Sequence, residues 1–300
     1  MAVERIDCSR KTRYWEGERS FPRAVPHPIF YAAEQIERAR GRVSAQDWAK
    51  RYLDGVVHSI DRRKILEMSD EAIREGISEQ VNIPMPRCPV DRRRRGWRVH
   101  FWDWSSDDPG HIRCKICESV FPCEDHEPVG ELEVVGPAGK VVRYRYWEDD
   151  EGIRYFFDNV LLNYTQARIV GLADPLAMAY TLTGEKAYAH KAAVILDRIA
   201  EGYPNYPVHG LGTSYASADR RGFYENQFYK DPPFPFVSAR MGNYHASPFS
   251  DASRAFGFSQ VYDLISDSGA IEDLSRDLGR DVRKAIEQDL LYEAIRHTLE

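Results

Sequence analysis

The chain contains no run of eighteen apolar residues, so the sequence offers no transmembrane helix and no membrane partner is expected. Its start, "MAVERIDCSRKTRYWEGERS", lacks the apolar core of a secretory signal. Cysteine is scarce and odd in number, five in 300 residues. That fits thiols or a metal site better than a disulfide framework. Positive charge is not in excess: the net charge of -6 argues against the chain as a whole as a general polyanion binder. No basic helix is present either, so no nucleic-acid partner is expected despite the local runs "DRRRRGWRVH" and "DRRGF". A phosphate loop is missing too. "HGLGTS" has neither the lysine nor the preceding strand, which argues against a nucleotide cofactor.

Aromatic residues, by contrast, are abundant: 17 Tyr, 13 Phe and 6 Trp, many beside Pro, Gly, Asn or Arg. Such rings line ligand clefts as well as filling cores. "HPIFYAAEQIERAR" and "SAQDWAKRYLDGVVHSIDRRKIL" read as two helices, with Ser44 and Asp47 spaced as a capping box and Trp48, Tyr52 and Val56 repeating at i+4. The stretch from "VNIPMPRCPVD" through the cysteine cluster has no helical period and reads as loop. Two β-branched runs around "GPAG" predict a small hairpin. Helical pattern then dominates, with stops at Gly184 and at Gly202 before Pro204.

A long aromatic loop follows, "YPNYPVHGLGTSYASADRRGFYENQFYKDPPFPFVSARMGNYHASPF". Two further helices close the chain. One carries Ala255, Phe258, Val261, Tyr262 and Ile265 on one face; the other repeats Leu278, Val282, Ile286 and Leu290. The pattern runs to Glu300 without a cap, so the chain reads as continuing beyond it. Three segments are expected: N-terminal helices over 1–80, a loop-rich cysteine cluster and hairpin over 81–150, and helical hairpins over 151–300. The fold class expected is mainly α, an incomplete (α/α) toroid of helical hairpins with a small irregular, β-hairpin and Cys-containing insertion. A helical-repeat solenoid is the weaker alternative: "LTGEKAYAHKAA" resembles a tetratricopeptide turn, but no 34-residue period accompanies it.

The cysteines allow two four-ligand sets. Cys88, Asp91, Cys114 and Cys117 pair two x-x spaced elbows, "CPVD" and "CKIC". Cys114, Cys117, Cys123 and His126 instead pack four ligands into one short stretch, and His100 or His111 can substitute. Either set is closed, leaving no position for water, which is the pattern of a structural zinc rather than a catalytic one. No thioredoxin-like strand–helix context surrounds "CKIC" to support redox use.

Several segments in fixed order resemble the heparinase II/III-like polysaccharide lyases. They are "PHPIFYAAEQIERAR", "ISEQVNIPMPRCPVD", Trp104 followed by "IRCKICESVFP", "ADPLAMAYTLTGEKAYAHKAAVILDRIAEGYPNYP" and "QVYDLISDSG". The resemblance implies an N-terminal helical toroid, with a β-rich part and the family's Asn-His segment and later catalytic His past Glu300. It further implies β-elimination on an acidic, uronate-containing polysaccharide, and a periplasmic or extracellular location; the N-terminus alone would leave the chain cytoplasmic. In that chemistry a polar or cationic side chain neutralises the C6 carboxylate, a Tyr or His removes the C5 proton, and a Tyr protonates the leaving oxygen.

"RMGNYHASPF" supplies suitable groups side by side. Asn243, Tyr244 and His245 are the catalytic candidates within this chain, with Arg240 for binding. His209, Tyr215, Arg220, Arg221 and Tyr224 are substrate-binding candidates on the same loop, joined by Asn226. Arg154 and Tyr155, with Asn159, precede or open a helix and read as rim groups. His190 reads as a helix-surface residue. Two competing readings remain. One is a glycoside hydrolase on a similar toroid, for which Asp219, Glu225 and Asp231 are the available carboxylates. The other is a non-catalytic helical scaffold with a structural zinc clip.

Overall fold

A computed structural model describes residues 2–7, 28–83, 88–92, 102–123, 127–150, 152, 154–206, 209–210, 241–242 and 248–295. In chain order the elements are β1 (Ala2–Asp7), α1 (Ala33–Ala45), α2 (Asp47–Asp61), α3 (Asp70–Glu75), β2 (Trp102–Ser105), β3 (Asp108–Cys114) and β4 (Val120–Phe121). Then come β5 (Gly130–Val135), β6 (Val141–Glu148), β7 (Arg154–Tyr155), α4 (Phe157–Val170), α5 (Ala173–Thr183) and α6 (Lys186–Gly202). The last are β8 (His209–Gly210), β9 (Met241–Gly242), α7 (Pro248–Ile265), α8 (Ala270–Leu278) and α9 (Val282–Ala285), which runs into a π-helix over Ile286–Tyr292. Helix predominates, so the mainly-α class holds. Among the described residues no helix is long and apolar enough to cross a membrane.

Two compact units interleave along the chain, where the sequence suggested three consecutive segments. Among the described residues, one unit draws on 1–15, 78–165 and 204–251, and the other on 16–77, 166–203 and 252–300. The first unit carries the sheets. The expected hairpin around "GPAG" is β5–β6, antiparallel from Gly130↔Tyr146 to Val135↔Val141, with Gly139 at φ 81° in the turn. Gly136 admits no side chain, because a Cβ there would meet Asn205 at 2.3 Å. Asn205 uses that closeness to clasp the turn, bonding both the N–H and the C=O of Lys140. β1 adds to the hairpin as a parallel edge strand, Ala2↔Gly130 to Asp7↔Val135, a pairing across the length of the unit that no local pattern announces.

The cysteine stretch corrects the loop reading. β2, β3 and β4 form a three-stranded antiparallel sheet through Trp102↔Cys114 and Ile112↔Phe121. Trp102, Ile112, Cys114 and Phe121 turn inward, and Trp102 and Phe121 pack against Phe157 of α4 with centroids 6.5 and 4.8 Å away. This aromatic core gives strands too short to stand alone a face to bury.

The second unit is built of helices. Ala32 and Gln46 bound α1, and Ser44 hydroxyl bonds back to the Arg40 carbonyl, so the capping box expected at Ser44 and Asp47 does not form. α2 starts at Gln46 without a side-chain cap, and Trp48 and Tyr52 face outward. α5 ends as expected in left-handed Gly184. Past Gly202 the chain tightens into a 3-10 turn, Tyr203–Asn205, instead of adopting a glycine C-cap. The apolar face expected on α7 is buried at Phe258, Val261, Tyr262 and Ile265. The expected closing helix is two helices: left-handed Gly279 ends α8, Asp281 caps α9 through the Lys284 N–H, and Leu278 lies outside the buried run of Val282, Ile286 and Leu290.

Within this unit the first and last thirds of the chain meet. Asp263 of α7 accepts the N–H groups of Ile29 and Phe30 at 2.6 and 2.8 Å, and Phe30 packs edge-on against Phe256. Buried Asp197 of α6 accepts from Arg74 at 2.5 Å and from Arg280 at 2.7 Å, joining α3, α6 and the α8–α9 link.

Candidate metal centre

Two five-residue turns bring three cysteines together in the first unit. β3 delivers Cys114 at its last residue, and the chain reverses through Lys115, Ile116 and Cys117 towards β4. The Cys114 carbonyl accepts the N–H of Glu118 at 2.9 Å, and Glu118 sits at φ 59°. Cys88 opens the other turn. Its carbonyl accepts the N–H of Arg92 at 2.8 Å, and Arg92 sits at φ 53°. Left-handed backbone at a non-glycine residue costs energy and is therefore informative about what the turn must do. Here both turns share the same hydrogen bond and the same left-handed fifth residue, and in the second the first and fourth residues, Cys114 and Cys117, lie side by side.

The sulfurs of Cys88, Cys114 and Cys117 all lie within 4.8 Å of one another. Cys88 and Cys117 are 3.6 Å apart, well beyond a disulfide bond, and none of the four described cysteines forms a disulfide. A tetrahedral ion with metal–sulfur bonds of about 2.3 Å would separate its thiolates by roughly 3.8 Å, so the observed edge has the size such an ion needs. Cys88 and Cys114 are fully buried and Cys117 half-buried.

The hydrogen bonding is that of sulfurs expected to carry negative charge. The Val90 N–H points at Cys88 sulfur and the Ser119 N–H at Cys117 sulfur, each two residues beyond the cysteine it serves. Burial nevertheless pushes the Cys88 thiol well above its ordinary range, and the neighbouring Cys117 and Cys114 add to that rise. For Cys117 burial also opposes ionisation. Hydrogen bonding with the Ser119 hydroxyl, 3.3 Å away, with the Ser119 N–H, and with Cys114 and Cys88 prevails and brings it down to about 7. The Cys117 thiol is thus poised to ionise beside Cys88, which is held protonated, and a cation binding here would displace protons. These three cysteines can hold a metal ion.

Of the two ligand sets read from sequence, the structure assembles three members of the first. Asp91 and Cys123 are described but lie outside the three-sulfur group, and His126 and His100 fall outside the described residues. His111 is half-exposed, with Nδ1 2.7 Å from Asp108, and is not in the group.

The remaining site candidates divide sharply. Arg154 stacks its guanidinium over Tyr146, 4.3 Å from the ring centroid, and lies 3.4 Å from Glu148. Tyr155 is a core residue rather than a rim group: it is 2 % exposed, stacks on Phe157 and donates to Asp149 at 2.8 Å. Asn159 is buried as well. Its carbonyl accepts from Ile83 N–H at 2.7 Å, and its amide donates to Gln80 Oε1 at 2.8 Å and to the Val81 carbonyl at 2.9 Å. His190, read as a helix-surface residue, is half-buried with Nε2 2.6 Å from Asp70.

His209 lies in β8, paired with Gly242 of β9. Tyr215, Arg220, Arg221, Tyr224 and Arg240 lie outside the described residues, as do Asn243, Tyr244 and His245 and the carboxylates Asp219, Glu225 and Asp231. Sequence reading missed the Asp70–His190–Lys191 cluster and the Asp197 network; the only signal was helical spacing, which does not say what lies opposite. No protein-family model, no curated protein and no solved structure matches this chain.

Proposed function

We propose that the chain is the helical portion of a polysaccharide lyase that cleaves a uronate-containing acidic glycan by β-elimination. The observation that carries the reading is the two-residue ladder between β8 and β9, with His209↔Gly242 and Gly210↔Met241. It sets side by side the bases of the two stretches that hold the carboxylate-binding and proton-transferring residue types. The ordered motifs of the sequence and a unit made of helical hairpins support the same reading, and with it an (α/α) toroid.

In this scheme Asn243 and Arg240 hydrogen-bond the substrate's C6 carboxylate, which makes the C5 proton acidic. Tyr244 or His245 takes that proton. The C4–O glycosidic bond breaks as the C4=C5 double bond forms, and a tyrosine returns a proton to the departing oxygen. His209, Tyr215, Arg220, Arg221 and Tyr224 line subsites for the anionic chain, and such a substrate places the protein in the periplasm or outside the cell. The full-length gene product should raise ultraviolet absorbance as unsaturated uronate accumulates on alginate, heparan, chondroitin, hyaluronan or ulvan. Flat traces on all of them overturn the reading.

The ion suited to the three cysteines is zinc in a structural role, because the ligands are soft thiolates, two of them fully buried. It would clip the turn at Cys88 to the β3–β4 sheet. Metal analysis should find zinc in stoichiometric amount, lost in a Cys114→Ser/Cys117→Ser variant; unchanged content in that variant excludes the site.

A further inference from the structure

Three sulfurs make an incomplete set for a tetrahedral ion, and the two turns identify what completes it. In the Cys114 turn, the first residue's carbonyl accepts the N–H of the fifth, the fifth is left-handed, and the first and fourth residues both belong to the sulfur group. The Cys88 turn repeats the hydrogen bond, 2.8 against 2.9 Å, and the left-handed fifth residue, φ 53° against 59°. Its first residue belongs to the group, and its fourth is Asp91. The first ligand of one turn, Cys88, touches the fourth of the other, Cys117, at 3.6 Å. Repeating that pairing, first residue of one turn with fourth of the other, matches Asp91 with Cys114.

We propose that Asp91 is the fourth ligand, closing a Cys3Asp site as its carboxylate turns in on metal binding. This rests on the metal reading above and decides between its two ligand sets. Asp91 and Cys123 both lie outside the group in the metal-free structure; what favours Asp91 is its place at the fourth step of a turn that repeats the Cys114 turn. A carboxylate is an ordinary zinc ligand at about 2.0–2.2 Å. It is also harder than a thiolate, so this site holds a soft ion less tightly than four cysteines would. Arg92, next in sequence, forms an exposed ion pair with Asp150 at 2.5 Å.

Cobalt(II) is the probe, added under reducing conditions to metal-free protein, because its sulfur-to-metal absorption grows with each thiolate bound. The wild type should show three thiolates' worth. Asp91→Cys should add a fourth, raising that absorption by about one third, and should bind zinc more tightly. Asp91→Ala should weaken binding by more than the roughly 10–100-fold that losing an outer-shell partner costs. If Asp91→Ala and Asp91→Cys leave affinity and spectrum unchanged while Cys123→Ser lowers both, the ligand assignment is overturned and the metal site stands. If the wild type takes up no cobalt, both fall. The Asp91→Cys gain of signal cannot arise from misfolding, which would only remove absorption.

Discussion

Replacing Asn159 with alanine removes one side chain and orphans the groups it satisfies. The carbonyl oxygen accepts from Ile83 N–H at 2.7 Å, and the amide serves Val81 C=O at 2.9 Å and Gln80 Oε1 at 2.8 Å. Ile83 and Val81 are buried, so their backbone groups lose their partners without gaining bulk water. Gln80 is less enclosed and can turn to solvent. An orphaned buried donor or acceptor costs about 1–3 kcal/mol, so the two together predict a loss of roughly 2–6 kcal/mol. At about 2–4 °C per kcal/mol for domains of this size, the midpoint should fall by on the order of 10 °C.

The assay is thermal unfolding followed by circular dichroism, together with amide exchange read at Ile83, which should lose protection before the rest of its unit. Asn159→Asp sharpens the test. Its carboxylate still accepts from Ile83, but it faces the Val81 carbonyl with no proton to donate and carries a buried charge. Acid restores a donor by protonating it, so the deficit of the Asp variant should shrink as pH falls, whereas that of the Ala variant should not. A midpoint within about 2 °C of wild type for Asn159→Ala would refute the accounting. It would mean that water fills the vacated space and bonds both backbone groups.

Two further perturbations probe the helical unit. Asp197→Asn keeps the shape of a fully buried side chain but leaves the Arg74 and Arg280 guanidinium groups facing each other without their shared carboxylate. Breaking a buried pair by removing one partner costs about 3–5 kcal/mol, and because both arginines are part-exposed the low end is expected in denaturant unfolding; a change under about 1 kcal/mol would show the network to be neutral. Asp70 accepts from Lys191 at 2.8 Å and lies 2.6 Å from His190; burial opposes its ionisation, but these hydrogen bonds prevail and hold its carboxyl below the usual range. A lowered folded pKa stabilises above the unfolded value of about 4 and is lost as pH falls through the folded one, so the gap between wild type and Asp70→Asn should close on acidification below about pH 4, and a gap constant across that range would contradict the assignment.

The helices were legible because their signals are local. Gly184 stops α5 where its left-handed φ is needed, and the apolar spacing of α7 states which face is buried. Of the sheets, only the β5–β6 hairpin around "GPAG" was legible. β4 is two residues long and β2 four, so neither shows a period, and β1 finds its partner β5 more than a hundred residues later. Asn159 was misjudged for a related reason. A polar residue near a helix start resembles a rim group until the segment carrying Val81 and Ile83 is seen to need its three hydrogen bonds.

The cysteine site lies between these cases. The x-x spacing of Cys114 and Cys117, and of Cys88 and Asp91, was readable, and it gave two ligand sets of equal standing. The left-handed backbone that makes the two turns equivalent was hidden, because Glu118 and Arg92 occupy positions where glycine would have advertised it. A strained non-glycine conformation recurring at the same step of two turns that share one sulfur cluster needs a common cause. A single ion gripped from both sides provides one: metal–ligand bonds far outweigh the 1–3 kcal/mol that each left-handed residue costs. On that reasoning the strain at Arg92 is as much a mark of the proposed site as Cys88 itself, and it singles out Asp91 as the proposed fourth ligand.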